Sequence, residues 1–251
     1  MCEVAYELSK QVLAAHADAW QLQGHLRDSL GGGALELRGI RLMASGLPHP
    51  QWNSGHVTAA DADLEGARVF YAERGLPWGV QVPAALPWAA GRLLFRKQLM
   101  GLPARGLRPA PSVPELEVRS AGPGELDTIA AIDASAFDGV PELSRAWLGP
   151  LPAAPVADLA IAHLGGEPLA SAYSLLTDGL AGPCVYLGGV AVLPAARRRG
   201  VGTAVSAWLL ERGFRSGARL AVLHADHDGA ARIYARLGFT PASELDVYED
   251  L

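Results

Sequence analysis

The chain has 251 residues, of which 50% are hydrophobic and 19% are charged, and its formal net charge is −5. This composition supplies the core of one large domain or two moderate ones and excludes a mainly disordered protein. The negative charge argues against nucleic acid as the main partner, and no run of 18 uncharged apolar residues is present to span a membrane.

Helical and strand patterns alternate in the first hundred residues. Hydrophobic periodicity predicts helices over 4–29, 60–75 and 88–100, and strands over 34–45 and 78–83. The segment YAERGL (71–76) is echoed by YARLGF (234–239). The echo suggests a degenerate structural repeat, with chance similarity as the alternative.

Four prolines fall within residues 101–115. Proline lacks an amide donor and biases the preceding residue towards extended conformations. We therefore expect a linker at 103–114, which separates an N-terminal domain at 1–102 from a C-terminal domain at 115–251.

Strands and helices also alternate after the linker, as expected for an α/β (α+β) fold. The patterns predict strands over 116–120, 184–193, 219–225 and beyond 238, a hairpin from 156–164 and 168–176, and helices over 124–137, 142–148, 201–214 and 230–237. Gly238 is expected to end the last helix.

The segment VAVLPAARRRGVGTAV (190–205) carries the most informative motif. A buried strand leads into an arginine-rich turn, and Gly200 and Gly202 open a helix whose free amides suit a phosphate. A solvated strand–helix turn is the alternative interpretation. A P-loop would need lysine where Thr203 stands, and a dinucleotide fingerprint would need glycine or alanine at Val205.

These residues resemble the GNAT superfamily of acyl-CoA-dependent N-acyltransferases. The family carries Arg/Gln-x-x-Gly-x-Gly/Ala after a Val-x-Val strand end, which corresponds to Arg197, Gly200 and Gly202 after 190–192. A helix tyrosine followed by Gly-Phe matches at Tyr234. The resemblance, over 115–251, implies a central mixed, mostly antiparallel sheet flanked by helices. Residues 1–102 resemble in layout the smaller, degenerate first half of some tandem GNAT proteins.

The resemblance also implies acetyl-CoA as cosubstrate. The implied coenzyme-binding residues are Val190, Ala191, Val192, Arg197, Arg198, Arg199, Gly200, Val201, Gly202, Thr203, His227 and Tyr234. Amides of 198–203 would cradle the pyrophosphate, and the strand at Val190 and Val192 would pair with the pantetheine arm. His227 stands where the family often has asparagine. Gly188 and Gly189 lie where many members carry a glutamate base, and they suit a β-bulge instead.

Two residues are the expected catalytic groups. Tyr234 is expected to donate a proton to the departing thiolate, with ordinary helix packing as the alternative. His224, at a strand end, is the candidate base, because a free imidazole has a pKa of about 6.5. A structural histidine is an equal alternative, and the other candidate bases are Asp133, Asp138, Asp226 and a water relay.

The segment His224–Asp228 contains two histidines and two aspartates, which could suggest a metal site. Histidines three apart leaving a strand face different ways, and no second cluster completes the set, so no metal is expected. Asp228 is expected to be the N-cap of the helix that follows.

The sequence therefore predicts an N-acetyltransferase acting on a primary amine of a small molecule or peptide. Phe137 and Asp138 are expected to bind the acceptor, since an acidic residue suits a cationic amine. The alternative is a non-catalytic acyl-CoA-binding or protein-interaction module. No nucleic-acid or membrane partner is expected, and a homodimer is left open. With only Cys2 and Cys184 and no signal-peptide pattern at the start, a reduced cytoplasmic setting is expected.

Overall fold

The computed structural model describes the backbone of residues 2–249 and the side chains of 5–227 and 229–249. The strands are β1 (Gly33–Leu37), β2 (Ile40–Ala44), β3 (Asn53–Val57), β4 (Gly79–Pro83), β5 (Arg92–Pro103), β6 (Leu116–Ser120), β7 (Ala157–Leu164), β8 (Glu167–Gly179), β9 (Gly182–Val192), β10 (Leu220–Ala225) and β11 (Thr240–Glu249). The helices are α1 (Cys2–His25), α2 (Leu64–Ala72), α3 (Leu126–Ala136), α4 (Pro141–Leu148), α5 (Val201–Arg215) and α6 (Asp228–Leu237). Short 3₁₀ turns join several of them.

All eleven strands of the described residues belong to one sheet, in the order β1-β2-β3-β4-β11-β5-β10-β9-β8-β7-β6. Strands β1 to β4 repeat the plan of strands β7 to β10. In each set three strands pair antiparallel, and the third then pairs in parallel with the fourth across a helix, α2 in one set and α5 in the other. The sheet is therefore built from two halves with the same connectivity.

The two halves exchange strands at the centre of the sheet. Strand β5, from the first half, lies between β10 and β11 of the second half. Strand β11 in turn pairs with β4 of the first half. The sheet is thus continuous across the predicted linker at 103–114, and the division into domains at 1–102 and 115–251 stays a prediction.

The prediction of a helix over 88–100 is wrong, because Arg92–Pro103 is the central strand β5. Its side chains alternate between the two faces, with Leu99 in the core on one side and Met100 and Leu102 in the core on the other. A strand buried on both faces is nearly continuously apolar, and a short apolar run does not distinguish it from a helix.

Two further differences lie in the first half. The strand predicted over 34–45 is a hairpin, which turns at Gly39 with a φ of 68°. Strand β3 was not predicted, because NSGHV lacks the apolar alternation of a strand although all five residues are buried. The remaining predicted helices and strands are confirmed within a few residues.

The echoed segments do not occupy equivalent places. Tyr71 lies on α2, which connects two parallel strands as α5 does, whereas Tyr234 lies on α6. The repeat therefore exists in the order of the strands, and the sequence echo does not mark it.

Helices cover both faces of the sheet. Two hydrophobic cores lie on one face, one beneath α2 and the other beneath α5 and α6. On the opposite face, α1, α3 and α4 share a third core. Helix α1 spans the exchanged strands, because its buried Val12 and Trp20 share a core with Met43 of β2 and Tyr186 of β9. It therefore joins the two halves.

A buried ion pair fixes α1 to the sheet. Asp18 on α1 lies 2.7 Å from the guanidinium of Arg41 on β2, and the two side chains are 3% and 9% exposed. The same carboxylate accepts a hydrogen bond from the amide of Ala181 at 3.1 Å, in the turn between β8 and β9. A Cβ on Gly179 would collide with Asp18, so the turn approaches α1 closely only with glycine there.

A second buried cation holds the C-terminal end of α1. The guanidinium of Arg27 lies 4.2 Å from the centroid of the Trp147 ring on α4 and donates to the carbonyl oxygen of Trp147. It also donates to the carbonyl oxygen of Gln23 at 2.8 Å. Burial lowers the pKa of Arg27 to about 10, which leaves it charged at neutral pH.

We expect Asp18→Ala to lower the free energy of unfolding by about 3–5 kcal/mol, because it leaves the guanidinium of Arg41 buried without its counterion. The matched control is Asp61→Ala, which breaks an exposed 2.8 Å pair with Arg38 and should cost less than about 1 kcal/mol. Urea unfolding followed by circular dichroism measures both. Equal losses in the two variants would contradict the anchoring role of Asp18.

Candidate active site

A cleft opens where β9 and β10 separate. The two strands pair in parallel only from Leu220–Val222 to Cys184–Tyr186, and beyond that point they diverge. The resulting cleft has a volume of about 940 Å³. It brings together most of the residues predicted from the sequence, namely Phe137, Asp138, Val190, Val192, Arg197, Arg198, Gly200, Val201, Gly202, Thr203, His224, His227 and Tyr234.

Two predicted coenzyme residues are not in the lining of this cleft. Ala191 is wholly buried within the sheet, and Arg199 is exposed outside the lining. Arg197 lines the cleft, but its guanidinium donates to the carbonyl oxygens of Val192 and Ala136, both at 3.1 Å. Its side chain thus ties the end of β9 to the end of α3.

Strand β9 carries the expected bulge at its glycines. Its pairing with β8 shifts between Tyr173–Gly188 and Ser171–Ala191, and Gly189 has a φ of 57°. A Cβ at Gly188 would lie 2.6 Å from Cζ of Tyr173. The tyrosine ring therefore fills the space where a side chain on the bulge would stand.

Helix α5 begins with backbone amides that no side chain caps. Its N-cap, Gly200, has a φ of 85°, and the first intrahelical bond of the turn runs from the amide of Ala204 to the carbonyl oxygen of Gly200 at 3.0 Å. The amides of Val201, Gly202 and Thr203 precede that bond. Free amides at a positive dipole end suit a pyrophosphate, so this turn fits coenzyme A.

The corresponding helix of the first half is closed to an anion. The carboxylate of Asp63 caps α2 by accepting a hydrogen bond from the amide of Gly66 at 2.9 Å. The Asp63 carboxylate would repel a bound anion, and the amide of Gly66 is not free to donate to it. Asp63 just before a helix is an N-cap signal that was not predicted from the sequence.

His224 lies at the inner end of the cleft. The Tyr186 hydroxyl is 3.2 Å from its Nδ1, and Oδ1 of Asp226 is 3.6 Å from its Nε2. Burial, and then the charge of Lys97, lower the pKa of His224 well below its ordinary value. The imidazole is therefore neutral at pH 7, the form that accepts a proton.

Tyr234 reaches the cleft from α6. Its ring meets Phe239 edge-on with 6.0 Å between centroids. Burial, and then the charge of Asp226, raise the pKa of Tyr234 above its ordinary value. Its phenol therefore stays protonated and able to donate.

The N-cap of α6 differs from the prediction. The helix begins at Asp228, and the capping residue is His227, whose Nδ1 accepts a hydrogen bond from the amide of Ala230 at 3.2 Å. Asp228 as N-cap is therefore wrong. His227 lines the cleft, but one of its ring nitrogens is already used by the helix.

The remaining acidic candidates for the base differ in whether they line the cleft. Burial raises the pKa of Asp133, which does not line the cleft. Asp138 does line it, with a φ of 52°, next to Phe137, which is 50% exposed. Among the described side chains, no group of three or more histidines, cysteines or acidic residues is arranged to hold a metal.

Residues 136–239 match the model of the acetyltransferase (GNAT) family. No curated protein matches the chain significantly. Its structure is similar to a GCN5-related N-acetyltransferase from Kribbella flavida, with a TM-score of 0.72 and 22% identity over 95% of this chain and 96% of the other. A functionally unknown conserved protein from Staphylococcus epidermidis has a TM-score of 0.66 and 15% identity over 88% of this chain and 95% of its own.

A tandem GNAT protein from the clavulanic acid biosynthesis pathway has a TM-score of 0.56 and 16% identity over 83% of this chain and 77% of its own. These likenesses confirm the fold class predicted from the sequence. No helix in the described part of the chain combines the length and apolar character needed to cross a membrane. Residues 136–239 thus match the acetyltransferase (GNAT) family, and the chain as a whole has the fold of a GCN5-related N-acetyltransferase.

Proposed function

We propose that the protein transfers an acetyl group from acetyl-CoA to a primary amine. The GNAT domain supports acyl transfer in general. The observation that carries the proposal is a single cleft with an uncapped helix N-terminus at one side and a neutral imidazole and a protonated phenol beside it. These groups match the needs of anion binding, proton acceptance and proton donation.

Acetyl-CoA would be held from the α5 side. The amides of Val201, Gly202 and Thr203 would donate to the pyrophosphate, and the cleft-lining Arg198 would add positive charge. The bulge takes Gly189 and Val190 out of register with β8, so that the strand edge can pair with the pantetheine arm. The bound coenzyme supplies a thioester.

The neutral acceptor amine would attack the thioester carbonyl carbon and lose a proton to His224 as the carbon–nitrogen bond forms. The carbon–sulfur bond then breaks, Tyr234 gives the departing sulfur its proton, and its phenolate regains a proton from solvent. An amide on the bulge would polarise the carbonyl oxygen. The products are an N-acetylated amine and coenzyme A.

The acceptor would enter beside Phe137 and Asp138, whose ring and carboxylate suit an amine on a small molecule or a peptide. We also propose that the protein is cytoplasmic and uses no metal, and it could act as a homodimer. Cys184 is a buried thiol whose pKa burial raises to about 11, and it takes no part in the chemistry.

One observation favours the second candidate, a non-catalytic acyl-CoA-binding module. The ring of Tyr173 fills the space above Gly188 and Gly189, so no carboxylate projects from this strand. Such a module would bind coenzyme A and release none from acetyl-CoA in the presence of amines. A turnover screen against polyamines, aminoglycosides, amino acids and peptide N-termini separates the two candidates.

We expect Arg198→Glu to weaken coenzyme A binding by about tenfold or more, because a reversed charge at the cleft repels the pyrophosphate. Arg199→Glu is the matched control, since it makes the same charge change one residue away, outside the cleft lining. It should weaken binding by about threefold or less in 0.15 M salt. Calorimetry should also give one coenzyme per chain, because Asp63 closes α2. Equal losses in the two variants, or two sites, would contradict this assignment.

We expect Tyr234→Phe to lower kcat by about 100-fold or more, with little change in coenzyme A affinity, because it removes only the donor hydroxyl. Tyr71→Phe is the control. It deletes a buried hydroxyl that donates to the carbonyl oxygen of Met43 at 2.9 Å, far from the chemistry, and should lower stability while leaving kcat within about twofold. A Tyr234→Phe enzyme with nearly normal kcat would return this tyrosine to a packing role.

A further inference from the structure

Four basic side chains lie together between α1 and the sheet, behind the inner end of the cleft. This basic cluster consists of three buried side chains, His16 on α1, His56 on β3 and Lys97 on β5, and of His224 on β10, whose side chain is 20% exposed. Three of the four come from the N-terminal half of the chain. Of the four, only His224 takes part directly in the proposed reaction.

His16 is the centre of the cluster. Its ring centroid lies 5.7 Å from that of His224, 5.6 Å from that of His56 and 5.5 Å from that of Trp20. The side chain is wholly buried, and neither of its ring nitrogens has a hydrogen-bond partner. A protonated imidazole without an acceptor would be costly at this place, so His16 is neutral.

Lys97 reaches the cluster because of the strand exchange. Leu99 of β5 is the register partner of His224 on β10, and Lys97 is two residues away on the same face. It is therefore a diagonal neighbour of His224, at a distance that long side chains bridge. The ammonium is 5.3 Å from the centroid of the Trp20 ring, and the residue is 5% exposed.

The cluster can carry few charges, because burial penalises each of them. Burial lowers the pKa of Lys97 to about 8 and that of His56 to about 3, and it lowers those of His16 and His224 well below the ordinary value. At pH 7 the lysine is charged and the three histidines are neutral. The ammonium therefore holds the one positive charge of the cluster.

The other groups facing His224 are two tyrosines and Asp226, and only Asp226 partly offsets the charge of the Lys97 ammonium. Tyr186 on β9 and Tyr234 on α6 are both neutral, since burial raises the pKa of each. Asp226 is the acidic group beside His224, and its side chain is 60% exposed to solvent. A proton on Nε2 of His224 can therefore pass to the carboxylate of Asp226 and from there to solvent.

We propose that Lys97 is a positioning residue for the reaction, whose buried ammonium excludes a second lasting charge and so keeps His224 available as the proton acceptor. The inference rests on the proposed function. His224 takes the proton of the acceptor amine and passes it to Asp226 and water. The N-terminal half, which has no coenzyme turn of its own, thereby contributes to the chemistry through β5.

The test is an NMR titration of the histidine rings in the full chain without substrate, with His224→Gln used to assign the signal of His224. In the wild type we expect the midpoint of His224 to lie well below that of a free imidazole, which is about 6.5. Lys97→Met keeps the length and packing of the side chain and removes the charge. The midpoint should rise by about one pH unit or more, because protonation no longer meets a like charge.

Two controls separate charge from packing. Lys97→Arg keeps the charge and should leave the midpoint within about 0.3 unit of the wild type. His16→Phe keeps a buried ring beside His224 and changes no charge, so it should move the midpoint less than Lys97→Met does. If Lys97→Met does not fold, Lys97→Gln makes the same charge change with a polar end.

An unchanged midpoint in a folded, uncharged variant would overturn the proposal, as would an equal shift in His16→Phe. With an active acceptor, the acidic limb of the kcat/KM profile should move to higher pH in Lys97→Met by the same amount as the midpoint. Because the titration needs no substrate, failure to find turnover would contradict the proposed function and not the electrostatic role of Lys97.

Discussion

The pairing of β5 with β10 determines where the cleft opens. Strand β10 runs beside β9 only as far as Val222, yet its last two residues, His224 and Ala225, still pair with Leu99 and Gln98 of β5. The backbone groups at the end of β10 are thus satisfied from one side while β9 moves away on the other. Without a strand at the position of β5, that end would have no hydrogen-bonding partner, and the separation would cost stability.

The same exchange explains why the two halves are not independent. Helix α1 lies across strands of both halves and is held by Asp18 to Arg41 of β2 and to the turn before β9. The inner end of the cleft is therefore built against α1, with His16 beside His224. The C-terminal motifs alone predict most of the residues that line the cleft, but they do not reveal the basic side chains of the first half that lie behind His224.

The two halves of the sheet differ most clearly at the N-terminus of one helix in each half. Helices α2 and α5 occupy equivalent places between parallel strands, but α2 begins with an aspartate that caps its own amides and α5 begins with a glycine. Asp63 favours the helix, whereas Gly200 leaves the amides open to a ligand. One helix start stabilises the fold, and the other is available for function.

Local signals predicted the elements near the site well. The strand ending before Pro194, the glycines of the following turn and the stop at Gly238 each act over a few residues, and the structure places them as expected. The sequence pattern failed where the decisive contacts are distant. The apolar run of β5 fits a helix equally well until β10 and β11 are known to flank it, and the burial of NSGHV in β3 depends on neighbours that its own pattern does not reveal.

The strand exchange also sets an order for folding during synthesis. Leu99 leaves the ribosome long before its register partners His224 and Ser243, so β5 has no neighbour on either side while most of the C-terminal half is still being made. Contacts this far apart in sequence carry a large loop-closure cost and form late. Until β10 and β11 are added, the first half is an open sheet with β4 as an unpaired edge, a state open to association with other chains. The addition of β10 and β11 therefore both completes the cleft and protects that edge.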